Sequence, residues 1–117
     1  MTCLYEVVAY RPAAELSLQH AMQIAADRWL IVGERPSVPN DFAVTDVTGK
    51  WRELSVTAKI LAHSVDVDSL LAQRNCARTV VFDCPVVLQK IDSGYSVWIE
   101  RSYENAFNVA VKQATTL

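Results

Sequence analysis

The triplet Asp83-Cys84-Pro85 interrupts the apolar stretch VVFDCPVV, residues 80–87, and places a thiol beside a carboxylate. A cysteine acts as a nucleophile through its thiolate, which requires a pKa lowered by a helix N-terminus, a cation or a histidine. The Asp83 carboxylate would raise the pKa of the neighbouring thiol instead. In an extended strand, Cys84 and Val86 share one apolar face. The pattern therefore favours a buried cysteine in a strand that is bulged or edge-exposed at Pro85.

A second group with chemical potential is the segment HSVDVD, which contains His63, Asp66 and Asp68. Imidazole and carboxylate groups can bind a metal ion, but helix capping explains both aspartates. Asp66 suits the N-cap of a following helix, and Asp68 suits its positively charged first turn. No CxxC pair accompanies them, so a structural zinc site is not supported. We predict no metal site and no cofactor.

Motifs that define common enzyme classes are missing. The sequence has no GxSxG, Walker-type phosphate loop, GxGxxG or HExxH, and it contains only 3 glycines. We therefore favour a protein without catalytic activity. The alternative is a small-molecule-binding domain or an enzyme with a site between sheet and helices. Its candidate residues are His20, His63, Asp83 and Cys84.

The aromatic and arginine residues indicate protein binding, because Trp, Tyr and Arg are enriched at the energetic centres of interfaces. Because side chains alternate along a strand, we expect Trp51 and Trp98 to lie on the less apolar faces of their predicted strands. The loop at residues 33–41 exposes charged side chains for recognition. Candidate protein-binding residues are Trp51, Trp98, Glu34, Arg35 and Asp83.

Composition bounds the class of protein. The chain has 117 residues, of which 51% are hydrophobic, and a net charge of −2. This length and composition predict one compact domain over residues 1–117. The acidic balance disfavours nucleic acid as a partner, although scattered arginines leave a local basic patch open. The sequence shows no signal peptide, and no apolar run approaches the roughly 18 residues of a membrane span. We therefore expect a cytoplasmic protein that does not bind membranes, with cysteines that are not paired in disulfides.

Periodicity and turn residues predict an α+β fold. The expected elements are a strand at residues 4–10, a helix at 13–28, a loop at 33–41, a hairpin of strands 42–48 and 51–61, a helix at 67–75 and a second hairpin of strands 79–91 and 95–101. Residues 29–32 either extend the first helix or form a short strand. After Ser102 a helix is favoured over an alternating strand. This order predicts a mixed or antiparallel sheet of about five strands with two or three helices. It also permits a ferredoxin-like βαββαβ arrangement with an added strand and a C-terminal helix.

The first predicted hairpin has a preferred register. A three-residue turn at residues 48–50 pairs Val44 with Leu54 and collects the apolar side chains on one face. Trp51 and Glu53 then lie on the opposite, polar face. Together these features predict a small protein–protein interaction module, such as an inhibitor, an immunity factor or an assembly subunit. The partner's identity and a homo-oligomeric state are left open.

Overall fold

The computed structural model describes residues 3–11, 21–92 and 94–116. The chain divides into two compact units, Met1–Gly49 and Lys50–Leu117. Each unit contains a four-stranded antiparallel sheet and a hydrophobic core. The prediction of a single domain over residues 1–117 stays a prediction.

The sheet of the first unit has the strand order β2-β3-β1-β4. Its strands are β1 (Leu4–Ala9), β2 (Ala21–Ala25), β3 (Arg28–Val32) and β4 (Phe42–Asp46). The central strands β1 and β3 carry the apolar side chains, as expected for strands with neighbours on both sides. The buried cluster of this sheet consists of Val7, Ala9, Trp29, Ile31 and Phe42. The rings of Trp29 and Phe42 meet edge to face, with centroids 5.8 Å apart, a favourable aromatic geometry.

The predicted helix over residues 13–28 is wrong from residue 21 onward, because β2 and the start of β3 occupy that part. The part of this prediction before residue 21 lies outside the described residues. The segment carries two periodicities at once. Apolar residues recur at helical spacing, but Met22 and Ile24 are buried while Gln23 between them is exposed, which is the alternation of a strand. Pairing with β3 decides between the two patterns. Residues 29–32 form a strand, one of the two predicted alternatives.

The second unit has the strand order β5-β8-β7-β6. Its elements are β5 (Trp51–Val56), α1 (Ala58–Leu61), α2 (Val67–Leu70), β6 (Cys76–Val81), β7 (Cys84–Ile91), β8 (Gly94–Glu100), a 3₁₀ turn (Arg101–Tyr103) and α3 (Glu104–Thr115). One face of the sheet packs with α3 through Phe107, which is fully buried and lies near Phe82 with ring centroids 6.0 Å apart. The predicted C-terminal helix is confirmed.

The predicted hairpin of residues 42–48 and 51–61 is wrong. β4 pairs with β1 and β5 pairs with β8, so the two segments belong to different sheets. Between them, Asp46 and Thr48 form a local turn in which the Thr48 N–H donates to Asp46 Oδ1 over 2.9 Å. Residues 58–61 are helical, with Thr57 accepting a hydrogen bond from the Ile60 N–H as N-cap. A turn-forming sequence shows that the chain changes direction, but it does not determine which strand the next segment pairs with.

The predicted N-cap at Asp66 is confirmed, although the helix that follows is shorter than the predicted 67–75. Asp66 Oδ1 accepts the Ser69 N–H at 3.2 Å, and Oδ2 accepts the Ser69 hydroxyl at 2.9 Å. Val67 provides the buried contact of this single turn. The carboxylate of Asp66 therefore caps the N-terminus of this helical turn.

The predicted long strand 79–91 is wrong, because it is divided by a tight turn at Phe82-Asp83 into β6 and β7. Both turn residues have positive φ, 50° and 64°, and the flanking pair is Val81 opposite Cys84. Two successive left-handed residues are the geometry of a type I′ hairpin turn. The predicted second hairpin, β7 with β8, is confirmed.

The α+β class with antiparallel pairing is confirmed, whereas the arrangement of strands differs from the predicted sheet of about five strands. The described residues form two sheets of four strands, and their element order is not the ferredoxin-like order that the sequence permitted. The three extra strands are β2, in the segment predicted as a helix, β3, at residues whose state was left open, and the strand added by the division at Phe82-Asp83. Within the described part of the chain, no helix is long and apolar enough to cross a membrane.

Candidate functional site

The register of the second sheet places several of the predicted residues on one face. Trp51 pairs with Glu100, and Glu53 pairs with Trp98. Trp98 is in turn opposite Val87 on the next strand. Because side chains directly opposite each other share a face, Trp51 and Trp98 lie on the side away from the core that packs with α3. Trp51 and Glu53 therefore share a face, as the sequence predicted.

A small groove of about 200 Å³ opens beside Trp51. It draws on all four strands of the second unit and on the 3₁₀ turn. Its lining residues are Trp51, Arg78, Pro85, Val86, Glu100 and Tyr103. A volume of this size is below the roughly 300–1,000 Å³ of typical small-molecule sites.

Two local contacts position Tyr103 at this groove. The Arg101 N–H donates to the Lys50 carbonyl over 2.9 Å, which holds the 3₁₀ turn against the start of β5. Arg52 on β5 lies 3.6 Å from the Glu104 carboxylate, measured from Nε to Oε2, at the first residue of α3. Tyr103 lies between these two connections and keeps 39% of its surface exposed.

Two charged side chains line the groove. Arg78 is exposed and Glu100 is half-buried. Neither side chain forms an ion pair with any residue in the described ranges. Val80, two residues beyond Arg78 and therefore on the same face, is 57% exposed. The surface thus combines a tryptophan, a tyrosine and an arginine, residue types that are enriched at protein interfaces, with the exposed aliphatic side chain of Val80.

Trp98 shares the face of Trp51, but it is 5% exposed. Its indole Nε1 donates to Gln89 Oε1 over 3.3 Å. Next to it, the buried Ser96 hydroxyl donates to Glu53 Oε2 over 2.7 Å. The polar atoms of this part of the face are therefore satisfied within the unit. A protein-binding role for Trp98 stays a prediction.

The remaining predicted residues lie elsewhere in their units. Glu34 and Arg35 are exposed in the loop of the first unit, where the Arg35 guanidinium carbon lies 5.8 Å from the centre of the Tyr5 ring in a cation–π contact. Asp83 is exposed in the left-handed turn between β6 and β7. Of the five candidates, only Trp51 is among the described residues that line the groove. The other assignments stay predictions.

Sequence reasoning missed Arg78, Glu100 and Tyr103. Glu100 is brought to Trp51 by the pairing of β5 with β8, and Arg78 by the further pairings of β8 with β7 and of β7 with β6, which join residues far apart in sequence. A local signal existed for Pro85, which the sequence marked as a break in strand pairing. Pro85 lies opposite Val80 at a position that does not bond to β6, and the pairing of β7 with β8 begins only at Val86, so the missing N–H breaks no ladder bond.

The structure does not support Cys84 as a nucleophile. Its side chain is 3% exposed and packs in the core of the second unit. Burial, together with the Asp83 carboxylate, raises the pKa of the Cys84 thiol. At neutral pH the group is a thiol, which is neither a strong nucleophile nor a metal ligand.

A second, wider groove of about 670 Å³ surrounds α1 and α2. Its lining residues are Ala58, Lys59, Ala62, His63, Ser64, Val65, Asp66, Val67, Asp68 and Tyr95. Hydrogen bonds from Ser69 lower the pKa of Asp66. Across the described ranges, no group of three or more His, Cys, Asp or Glu side chains converges in a way that could hold a metal ion. The other histidine candidate, His20, lies outside the described residues.

Comparison with known proteins gives a structural likeness. No family model matches the sequence, and no curated protein matches it. The chain is similar in structure to a chain of the heterotetrameric sarcosine oxidase from Corynebacterium sp. U-96, which was solved in complex with pyrrole 2-carboxylate. The match has a TM-score of 0.75 at 15% sequence identity and covers 98% of this chain and 80% of the other. At this identity the likeness shows a shared fold.

Proposed function

We propose that this chain is a non-catalytic assembly subunit that binds another protein in a cytoplasmic multi-subunit complex. The observation that carries the proposal is the fold likeness to a chain of a heterotetrameric enzyme over 98% of the present chain. A fold used within a heterotetramer is compatible with stable protein contacts. This likeness favours an assembly subunit over the inhibitor or immunity factor that the sequence also allowed.

The groove beside Trp51 is the surface that best fits such a role. Trp51, Tyr103 and Arg78 belong to the residue types that contribute most binding energy in interfaces, and here they line one groove. The exposed Val80 extends this surface along β6. A partner side chain inserted beside Trp51 would bury these groups together.

The experiment isolates the affinity-tagged chain from its source cells and determines the mass and composition of the complex by native mass spectrometry. The copurified partner is then titrated against purified variants. We expect Trp51→Ala to weaken the complex by about 30-fold or more, since truncating an interface residue of this kind costs about 2 kcal/mol or more. Tyr103→Ala should weaken it in the same direction.

Two exposed residues outside the groove lining provide controls. Tyr10 and Val109 are 71% and 57% exposed, respectively. Tyr10→Ala and Val109→Ala should retain wild-type affinity. Isolation of the chain as a monomer without any stoichiometric partner would contradict the proposed function. Equal affinity of wild type and Trp51→Ala would remove the groove from it.

A second candidate function is the binding of a small molecule in the groove around α1 and α2. Its volume of about 670 Å³ falls within the usual range for ligand sites. Lys59 and His63 on its lining could contact an anionic group. The similar oxidase structure contains pyrrole 2-carboxylate, an organic carboxylate, which makes this compound a suitable first probe.

A thermal-shift titration with pyrrole 2-carboxylate tests this candidate. A ligand that binds the native state raises the midpoint of unfolding as its concentration exceeds the dissociation constant. Lys59→Ala should abolish the rise, whereas Lys112→Ala on α3 should preserve it. A midpoint that does not move at millimolar compound would contradict binding of this carboxylate.

A further inference from the structure

Strand β6 is an edge of the second unit's sheet, and among the described strands it pairs with β7 alone. Edge strands present unpaired backbone N–H and C=O groups, and many are protected by bulges, prolines or short length. β6 (Cys76–Val81) contains no proline and keeps one continuous register with β7. By contrast, the edge strand β2 of the other sheet has an irregular register between Gln23 and Ala25.

The register shows which backbone groups of β6 point away from β7. The Lys90 N–H donates to the Asn75 carbonyl over 2.8 Å, so the backbone N–H and C=O groups of Lys90 are directed toward β6. Hydrogen bonding alternates along an antiparallel ladder, so the backbone groups of Leu88 and Val86 are also directed toward β6. Their partners are Ala77 and Thr79.

The residues that alternate with these partners, Arg78 and Val80, direct their N–H and C=O groups outward. Neither residue has a further hydrogen bond within the described ranges. The open edge of β6 therefore offers two adjacent pairs of backbone donors and acceptors.

The side chains at this edge indicate the chemistry of a complementary strand. Arg78 is exposed, and Arg74, which precedes β6, is exposed as well. Neither forms an ion pair with residues in the described part of the chain. A second copy of this strand, paired antiparallel in the register centred on Arg78, would place two positively charged Arg78 side chains opposite each other, which is unfavourable. A strand carrying a carboxylate opposite Arg78 would gain a charge-assisted contact.

We propose that β6 accepts an extended acidic segment of the protein partner as a fifth strand of this sheet. The segment would bond to the backbone of Arg78 and Val80 and place a carboxylate against the Arg78 guanidinium. This mode of recognition uses main-chain hydrogen bonds for affinity and side chains for selection. The inference rests on the proposed function, because it specifies how that partner would bind.

The test uses a synthetic probe, the blocked peptide acetyl-Thr-Glu-Val-Glu-Val-Glu-Thr-amide, added to the full-length ¹⁵N-labelled protein. We expect the amide hydrogen exchange of Arg78 and Val80 to slow at least tenfold at saturating peptide. The matched control peptide has lysine in place of each glutamate and should bind at least tenfold more weakly. Loss of the difference between the two peptides would overturn the acidic character of the segment.

Two variants separate the backbone and charge contributions. Val80→Pro removes one outward N–H but no bond to β7, and it should reduce binding of the acidic peptide at least tenfold, whereas Val80→Thr keeps the N–H and should bind normally. Arg78→Glu leaves the backbone unchanged and should reverse the preference between the acidic and lysine peptides. Arg78→Glu therefore tests binding at this edge even if Val80→Pro does not fold.

Several results would overturn the proposal. They are absence of protection at Arg78 and Val80, protection confined to other strands, or concentration-dependent protection without peptide, which would assign the edge to a second copy. A copurified partner whose binding depends on Trp51 but leaves these two amides unprotected would overturn the β6 assignment alone. Peptide binding at β6 by a protein that isolates without a partner would support the edge site and contradict the proposed function.

Discussion

The Cys84 thiol illustrates how position determines reactivity. Its side chain is packed in the core of the second unit, and burial followed by the Asp83 carboxylate raises its pKa. Cys3, in contrast, is exposed. We expect iodoacetamide at neutral pH to label Cys3 rapidly and Cys84 only after unfolding, because alkylation requires an accessible thiolate. Peptide mass spectrometry in the absence and presence of urea measures both sites.

The matched control for this prediction is Cys3→Ser, which removes the exposed thiol and leaves the partly exposed Cys76 and the buried Cys84, whose peptides are quantified separately. The native variant should then show little labelling at Cys84 over the same period. Rapid modification of native Cys84 would disagree with its burial and would return it to the candidates for chemistry.

At the residue scale, Asp46 makes a pH-dependent contribution to the stability of the fold. The hydroxyl and then the N–H of Thr48 donate to its carboxylate and lower its pKa below the ordinary 3.8. A depressed carboxyl pKa in the folded state stabilises the fold above the unfolded-state value. That stabilisation is lost as the pH falls through the folded-state pKa. We expect Asp46→Asn to reduce the loss of stability below about pH 4, as measured by urea unfolding at several pH values.

Asp92→Asn provides a control for the Asp46 experiment. Asp92 is exposed, and no hydrogen bond to its carboxylate occurs within the described residues. Its substitution should leave the acid limb of the stability profile close to wild type. Identical profiles for wild type and Asp46→Asn would contradict a stabilising role for the Asp46–Thr48 contact.

At the element scale, the turn between β6 and β7 depends on two residues with positive φ. Asp tolerates the left-handed region, a β-branched residue there is an outlier, and Gly adopts it without steric cost. We expect Asp83→Val to lower the free energy of unfolding by about 1–2 kcal/mol. Asp83→Gly should change it by less than about 1 kcal/mol, since relief of strain is offset by a more flexible unfolded chain.

Urea unfolding followed by circular dichroism measures both Asp83 variants. The pair separates backbone strain from the loss of the carboxylate, because both substitutions remove the charge and they differ in the conformation they tolerate. Equal destabilisation by Val and Gly would show that the carboxylate, and not the turn geometry, is the relevant feature.

At the scale of the whole molecule, the prediction of a single domain can be tested by asking whether the two units unfold in one cooperative transition. Each unit has its own buried cluster, but each is shorter than the roughly 70–80 residues below which one core supplies little stability. We therefore expect both units to unfold together. Trp29 reports on the first unit, and Trp51 and Trp98 report on the second.

Fluorescence of two variants measures this cooperativity. Trp29→Phe leaves only reporters of the second unit, and the double variant Trp51→Phe with Trp98→Phe leaves only the reporter of the first. Each variant is also followed by circular dichroism, which detects both units. Coincident urea transitions within each variant are the expected result. Separate midpoints would assign the two units to independent domains.

The sequence by itself determined the α+β class, the Asp66 cap and the β7–β8 hairpin, and it favoured the C-terminal helix over a strand. These features depend on local patterns, namely periodicity, capping and turn residues, which can be read without knowing how distant segments pair. The burial of Cys84 and the separation of Trp51 from the apolar core face also followed from alternation along single strands.

Only the tertiary structure decided which strands pair. Met22 fitted both the helical spacing and an extended alternation with Ile24, and contact with β3 selected the strand. Phe82-Asp83 lacked the Asn-Gly or Asp-Gly sequence that marks a type I′ turn, so its positive φ angles could not be read locally. The groove beside Trp51 follows from long-range register alone, which brings Arg78 and Tyr103 to it from distant positions. Its existence depends on pairing free energies that no short stretch of sequence contains.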